Sequence, residues 1–158
     1  MSTETGQAAD VTQPTIDMKL EVVVLPVADV DRALAFYRGL GWRLDAEYEA
    51  GPTFRIVQLT PPGSACSVHF GRGLTSASPG SAQGTYLVVT DLEKAREDLL
   101  SRGVEVSGVY HNVYDSGAQE RVDGPSPDGR SYANFATFAD PDGNTWVLQE
   151  VTQRAPGR

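Results

Sequence analysis

The sequence predicts an α+β fold made of two successive β-α-β-β-β modules, and three observations carry that expectation. First, Val22–Leu44 (VVVLPVADVDRALAFYRGLGWRL) aligns without a gap with Gly84–Val106 (GTYLVVTDLEKAREDLLSRGVEV) at a shift of 62 positions, so the chain repeats itself. Second, the matches fall where structure is demanding. Leu25 meets Leu87, Val27 meets Val89, Asp29 meets Asp91, Ala33 meets Ala95 and Gly41 meets Gly103, which are strand core, helix N-cap, helix core and C-terminal glycine. Third, short β-rich segments separated by Gly and Pro turns follow each helix.

Taken in order, residues 1–17 are small and polar, with too little apolar surface to offset the entropy of ordering, and read as a disordered tail. The folded region is expected over 18–152, with module one at 18–73, a linker at 74–82 and module two at 83–152; residues 153–158 form a second tail. Lys19–Val27 is a strand of β-branched residues with Pro26 near its end. Asp29 caps a helix whose stripe is Val30, Ala33, Leu34 and Tyr37, spaced i, i+3, i+4 and i+7, and Gly39 and Gly41 end it. Strands follow at Trp42–Tyr48, Thr53–Leu59 and Cys66–Gly71, the last two joined by the PPG turn at 61–63. In module two, Asp91 caps a helix with Leu92, Ala95 and Leu99 inward. Strands are expected at Glu105–Tyr110, around Ser131–Phe138 and at Asn144–Val151, the last preceded by the DPDG turn at 140–143. The segment His111–Arg130 is long and aperiodic, and reads as a lid loop.

The composition sets limits. A chain of 158 residues with 40% hydrophobic content buries one substantial core. Its net charge of −8 would repel a phosphate backbone or an anionic membrane, so neither nucleic acid nor a membrane is an expected partner. A small organic molecule, neutral or cationic, fits better. The N-terminal stretch has no basic region followed by an apolar run, and the single cysteine, Cys66, allows a reducing cytoplasm, so a cytoplasmic location is expected.

The repeated unit, the LPVADVDRALAFYRGLGW helix entry and the FADPDGNTWVLQE terminus resemble the vicinal oxygen chelate superfamily. That superfamily includes glyoxalase I, bleomycin-resistance proteins, fosfomycin-resistance enzymes and extradiol dioxygenases. The resemblance spans roughly 19–151 and implies two modules whose mixed sheets curl into a cup with the helices outside. It also implies where metal-dependent relatives carry ligands: on strands one and four of each module, facing the cup. Here those positions hold Val22, His69, Gly84 and Val147. Three of the four have no donor atom, whereas a catalytic divalent metal takes about three protein ligands, so no metal and no other cofactor is expected.

The remaining candidates line the cup. His69 can bond a ligand or act in acid–base chemistry, against the ordinary reading of a histidine satisfied by its neighbours. His111 and Tyr114, near the start of the long loop, suggest a rim that closes on an aromatic or cationic compound, against a solvated loop histidine. Arg55 and Gln58 interrupt the apolar strand FRIVQL, and alternation does not decide which of them faces the cavity. Tyr86, Thr145, Val147 and Gln149, with Val22 and Val24, form a mixed apolar and hydrogen-bonding wall by strand parity. Trp146 falls on the core face, and Glu150 on the same face is expected as a solvated or salt-bridged carboxylate. Cys66 reads as a buried small hydrophobe, and Asp140 and Asp142 as turn residues.

Two function classes follow. One is a metal-free binding protein holding an organic molecule in the cup, like the bleomycin-resistance proteins. The other is a lyase, isomerase or oxygenase of the same superfamily that uses His69, with a tyrosine or Arg121, for proton transfer or non-standard metal ligation. Loss of three ligand positions favours the first. The resemblance also implies a homodimer, in which module one of each copy faces module two of the other.

Overall fold

The computed structural model describes residues 13–115 and 117–158; the tail expected over 1–17 lies outside the described residues as far as residue 12. Two mixed sheets carry one helix each. Strands β1 (Val22–Val24), β2 (Arg43–Ala50), β3 (Phe54–Thr60) and β4 (Ser67–Arg72) form the first sheet in the order β1-β4-β3-β2, with helix α1 (Val30–Gly39) between β1 and β2 in sequence. Strands β5 (Thr85–Val89), β6 (Tyr110–Asp115), β7 (Ala118–Asp123), β8 (Asn134–Ala139) and β9 (Thr145–Glu150) form the second in the order β5-β9-β8-β6-β7, with α2 (Leu92–Ser101) after β5. In each sheet the first strand pairs in parallel with the last strand of its module, β1 with β4 and β5 with β9.

The repeat is reproduced in detail at the helix entries. The Asp29 carboxylate accepts from the Arg32 N–H at 3.0 Å and that of Asp91 from the Lys94 N–H at 3.1 Å. Each cap satisfies one of the backbone donors that a helix start leaves without a partner. Both helices have ten residues. Gly41 and Gly103, just past the helix ends, adopt φ of 87° and 83°, a left-handed turn that a residue with a Cβ enters only at a cost.

One continuous core receives side chains from both modules. Val30, Ala33 and Tyr37 of α1 lie against Val57, Leu59, Val68 and Phe70 of the first sheet; Leu92 and Leu99 of α2 belong to the same cluster, with Ala136, Phe138, Trp146 and Leu148 of the second sheet. The modules are stapled by polar groups at its centre. The Tyr37 hydroxyl donates to Asp140 at 2.8 Å and accepts from Trp146 Nε1 at 2.9 Å. Asn144 Nδ2 donates to both Asp140, at 2.8 Å, and the Pro26 carbonyl, at 2.9 Å. Asp140 Oδ1 also accepts the backbone N–H groups of Asp142 and Asn144. Burial and the neighbouring Asp140 carboxylate push the Tyr37 phenol well above its ordinary pKa. The DPDG aspartates therefore do more than shape their turn: Asp142 accepts from Arg32 and from the Ala28 N–H in module one.

Several boundaries differ from the sequence expectation. β1 covers three residues rather than Lys19–Val27: it pairs with Ser67–His69 of β4, and Glu21 O and Leu25 N–H add one bond at either end. Residues 105–109 form no strand, although Ser107 bonds Thr137 through both its backbone N–H and its hydroxyl. The expected lid is instead the β6–β7 hairpin, paired from Tyr110↔Asp123 to Asp115↔Ala118, with Gly117 in its turn at φ 76°. Cys66 is half-buried ahead of β4 rather than fully buried. Glu150 is half-buried and, among the described residues, forms no salt bridge; it accepts the Leu92 N–H at 2.9 Å, satisfying a second orphan donor at the start of α2. Among the described residues, no helix is long and apolar enough to cross a membrane.

Candidate functional site

The sheet faces turned away from the helices form the candidate site, and register decides which side chains reach them. Directly opposed residues share a face, so β1, β4 and β3 place Val24, His69 and Gln58 in one row and Val22 beside Ser67. His69 Nε2 lies 2.8 Å from Gln58 Oε1. An amide oxygen only accepts, so Nε2 is the donor of this bond. Farther along the same face, Thr60 bonds Ser67 at 2.7 Å and also bonds Asp45. The hydrogen bond from Arg43, with the one from Thr60, holds the Asp45 carboxyl below its usual range.

Arg55 does not belong to this face. It shares the parity of Val57 and Leu59, which are fully buried under α1, and its guanidinium pairs with Asp31 of α1 at 2.8 Å and with Glu47 of β2. Alternation left Arg55 and Gln58 unresolved, and the register assigns only Gln58 to the site. Gly71 ends the row beyond His69, where an added Cβ would lie 1.7 Å from the Arg55 carbonyl oxygen, so β3 and β4 approach too closely there for any side chain.

On the second sheet, Tyr86 opposes Val147, Val88 opposes Gln149, and Phe135 and Thr137 of β8 complete the two rows. Thr145 shares this parity but is spent on structure, accepting the Gly84 N–H at 2.7 Å and donating to Gln83. Gln149 is likewise bound, donating to the Tyr132 carbonyl at 3.0 Å. That bond, together with Tyr132 N–H to Glu150 O at 2.9 Å, helps hold Tyr132 at φ 72°, unusual for a residue with a side chain.

An aromatic ladder dominates this face. Tyr86 meets Phe135 edge-on at 6.3 Å, Phe135 stacks on Tyr110 at 5.6 Å, and the Arg121 guanidinium lies 3.9 Å over the Tyr110 ring. Burial raises the Tyr110 phenol. Of these four, the sequence puts only Tyr86 on the wall; Tyr110 is expected as the end of a strand, Arg121 within the loop, and Phe135 is not singled out. The usable signal was Ser-Gly at 116–117 between YHNVYD and AQERVD, a two-residue hairpin turn.

The hairpin also corrects His111. Its cross-strand partners are Val122 and Asn134, so it lies on the face opposite Tyr110, and its Nδ1–H donates to the Gly124 carbonyl at 2.7 Å. It still lines a recess of about 170 Å³, together with Asn112, Tyr114, Tyr132 and Phe135. Tyr114 is 73% exposed there.

At the four positions where the resemblance implies metal ligands, the structure places Val22 beside Ser67, His69 beside Gln58, Gly84 just before β5 and Val147 beside Tyr86. Among the described residues, no group of three or more His, Cys, Asp or Glu side chains is arranged to hold a metal ion.

Comparison with known proteins agrees with this architecture. The family model described as Glyoxalase/Bleomycin resistance protein/Dioxygenase superfamily matches residues 19–148. No curated protein matches the chain. Among solved structures, TnmS3, an antibiotic binding protein from Streptomyces sp. CB03234, is 26% identical with a TM-score of 0.66, over 87% of this chain and 99% of its own. A glyoxalase/bleomycin resistance protein from the same organism is 27% identical with a TM-score of 0.62, over 84% and 100%. A superfamily member from Sphaerobacter thermophilus DSM 20745 is 26% identical with a TM-score of 0.63, over 85% and 98%.

Proposed function

The chain belongs to the Glyoxalase/Bleomycin resistance protein/Dioxygenase superfamily, and from that premise we propose that it is a metal-free binding protein that holds a small organic molecule against its sheet faces. One observation carries the reading. Of the four positions that bear ligands in metal-dependent relatives, only His69 has a donor atom, and its neighbour in the row is a glutamine that already bonds it. The side chains present do not fit a catalytic divalent metal, which takes about three protein ligands and an open position. What remains is a surface of aromatic and hydrogen-bonding groups, the chemistry of a binding site rather than of a metal centre. The similarity to an antibiotic binding protein supports the same reading.

The enzyme alternative, proton transfer by His69, draws less support. Neither residue directly opposite His69, Val24 or Gln58, is acidic, and His111 and Arg55 lie on other faces. Binding, unlike turnover, needs only the surface.

A homodimer in the cytoplasm completes the proposal. Ile16, Met18 and Leu20 are 84%, 91% and 71% exposed, a run of apolar side chains just ahead of β1, which among the described residues pairs on one side only. A stripe of that kind is expected to be covered, and a second copy of the chain supplies the cover. Sedimentation should give a dimer; a single species near 17.0 kDa would contradict it.

The function is tested by thermal-shift screening of aromatic antibiotics in the presence of chelator, with each compound recovered and weighed by mass spectrometry. A saturable rise in melting temperature with intact compound is expected. Conversion of a compound by wild type but not by His69→Ala would overturn the reading in favour of the enzyme.

A further inference from the structure

Resting on the binding reading, we infer that the molecule bound on the second sheet is a planar aromatic anion, whose rings lie along the Tyr86–Phe135 ladder and whose acidic group pairs with Arg121. The chain as a whole carries a charge of −8, so a cationic ligand is the naive expectation. The local arrangement argues the opposite. Seven arginines, at 32, 43, 55, 72, 96, 102 and 130, form ion pairs with carboxylates. Among the described residues, Arg38, Arg121, Arg154 and Arg158 form none, and of these four Arg121 lies over an aromatic ring on the second sheet. Instead the carbon at the centre of its guanidinium lies over the Tyr110 ring, 3.9 Å from the ring centroid.

That geometry matters because a guanidinium donates through N–H groups in its own plane. Stacking on a ring leaves those edges open while the aromatic beneath fixes the plane's orientation. A carboxylate or phenolate approaching edge-on finds a bidentate partner, and a charge-assisted pair of this kind is among the stronger polar contacts. The ring contacts continue from Tyr110, stacked on the buried Phe135, to Tyr86, which meets Phe135 edge-on and at 55% exposure offers the uncovered aromatic surface of the series. The cation and the aromatic surface are thus two ends of one contiguous ladder.

The test uses two near-isosteric probes, anthraquinone-2-carboxylate and anthraquinone-2-carboxamide, titrated calorimetrically into wild type and Arg121→Gln at low and high salt. The carboxylate should bind wild type about tenfold tighter than the carboxamide, with the preference shrinking as salt rises and vanishing in Arg121→Gln. Circular dichroism of the variant verifies that the edge strand still folds, and Arg121→Lys, which keeps charge without the planar fork, should retain only part of the preference. Equal binding of both probes by wild type, or a preference that survives in Arg121→Gln, would overturn the inference while leaving the binding reading intact. Binding of neither probe would also overturn it, and the binding reading would then stand or fall on the antibiotic screen.

Discussion

Module one and module two begin identically and finish differently. Both helices are entered through an aspartate at β-region angles, φ/ψ of −127°/108° at Asp29 and −137°/103° at Asp91, and both modules pair their first and last strands in parallel. After α1 the chain makes three strands; after α2 it makes four, because the β6–β7 hairpin adds an edge strand. The polar row of His69 and Gln58 belongs to module one, and the aromatic ladder ending on Arg121 to module two. Duplication preserved what builds the scaffold and released what faces the ligand. The shared parts satisfy backbone donors and fill the core, demands that do not change with the ligand, whereas cup-facing side chains answer only to function.

The largest expected effect comes from breaking the staple that joins the modules. Asp140 is buried and accepts four hydrogen bonds from Tyr37, Asn144 and the backbone of its own turn. Asp140→Ala leaves those donors without a partner and should cost about 3 kcal/mol or more in urea unfolding. A loss under about 1 kcal/mol would mean that the modules are held by apolar packing alone.

Tyr37→Phe should cost less, about 1–3 kcal/mol, by orphaning Trp146 Nε1 and one acceptor site of Asp140. This variant also has a pH signature. The folded phenol is raised above its ordinary value of 10.0, so below pH 10 its contribution is intact. Above pH 10 the unfolded chain releases a proton that the folded chain keeps, and stability falls. The stability gap between wild type and Tyr37→Phe should therefore narrow from pH 9 to pH 11, and a constant gap would contradict the burial of that hydroxyl.

The smallest effect sharpens the likeness. Asp29→Ala and Asp91→Ala should each cost about 1 kcal/mol and add in the double variant, since the caps have equal geometry and separate partners. Unequal costs would show that the two helices carry different shares of the stability.

Much of the fold was legible because its signals are local. An aspartate three residues before a backbone N–H, an i, i+3, i+4, i+7 stripe and a glycine past the last turn each announce themselves within a dozen residues. Trp146 was readable as core for the same reason, through strand parity from the DPDG turn. The errors arose where a partner distant in sequence decides. The register of β1 is set by β4, the pairing of Arg55 by α1 and β2, and the face of His111 by pairing with β7 and β8. Phe135 escaped notice because nothing in NFATF marks one of its two phenylalanines as ligand-facing until β9 fixes the register. Tyr37 was predicted as an apolar stripe residue, and its hydroxyl's partners lie more than 100 positions away.

The central claim is that this family scaffold works here without a metal, and elemental mass spectrometry of protein purified with neither chelator nor added metal tests it most directly. Run beside native mass spectrometry for bound organic material, it should find transition metal far below one per chain, unchanged in His69→Ala. A divalent metal near one per chain that disappears in His69→Ala would contradict the account and return the protein to the metal-dependent branch.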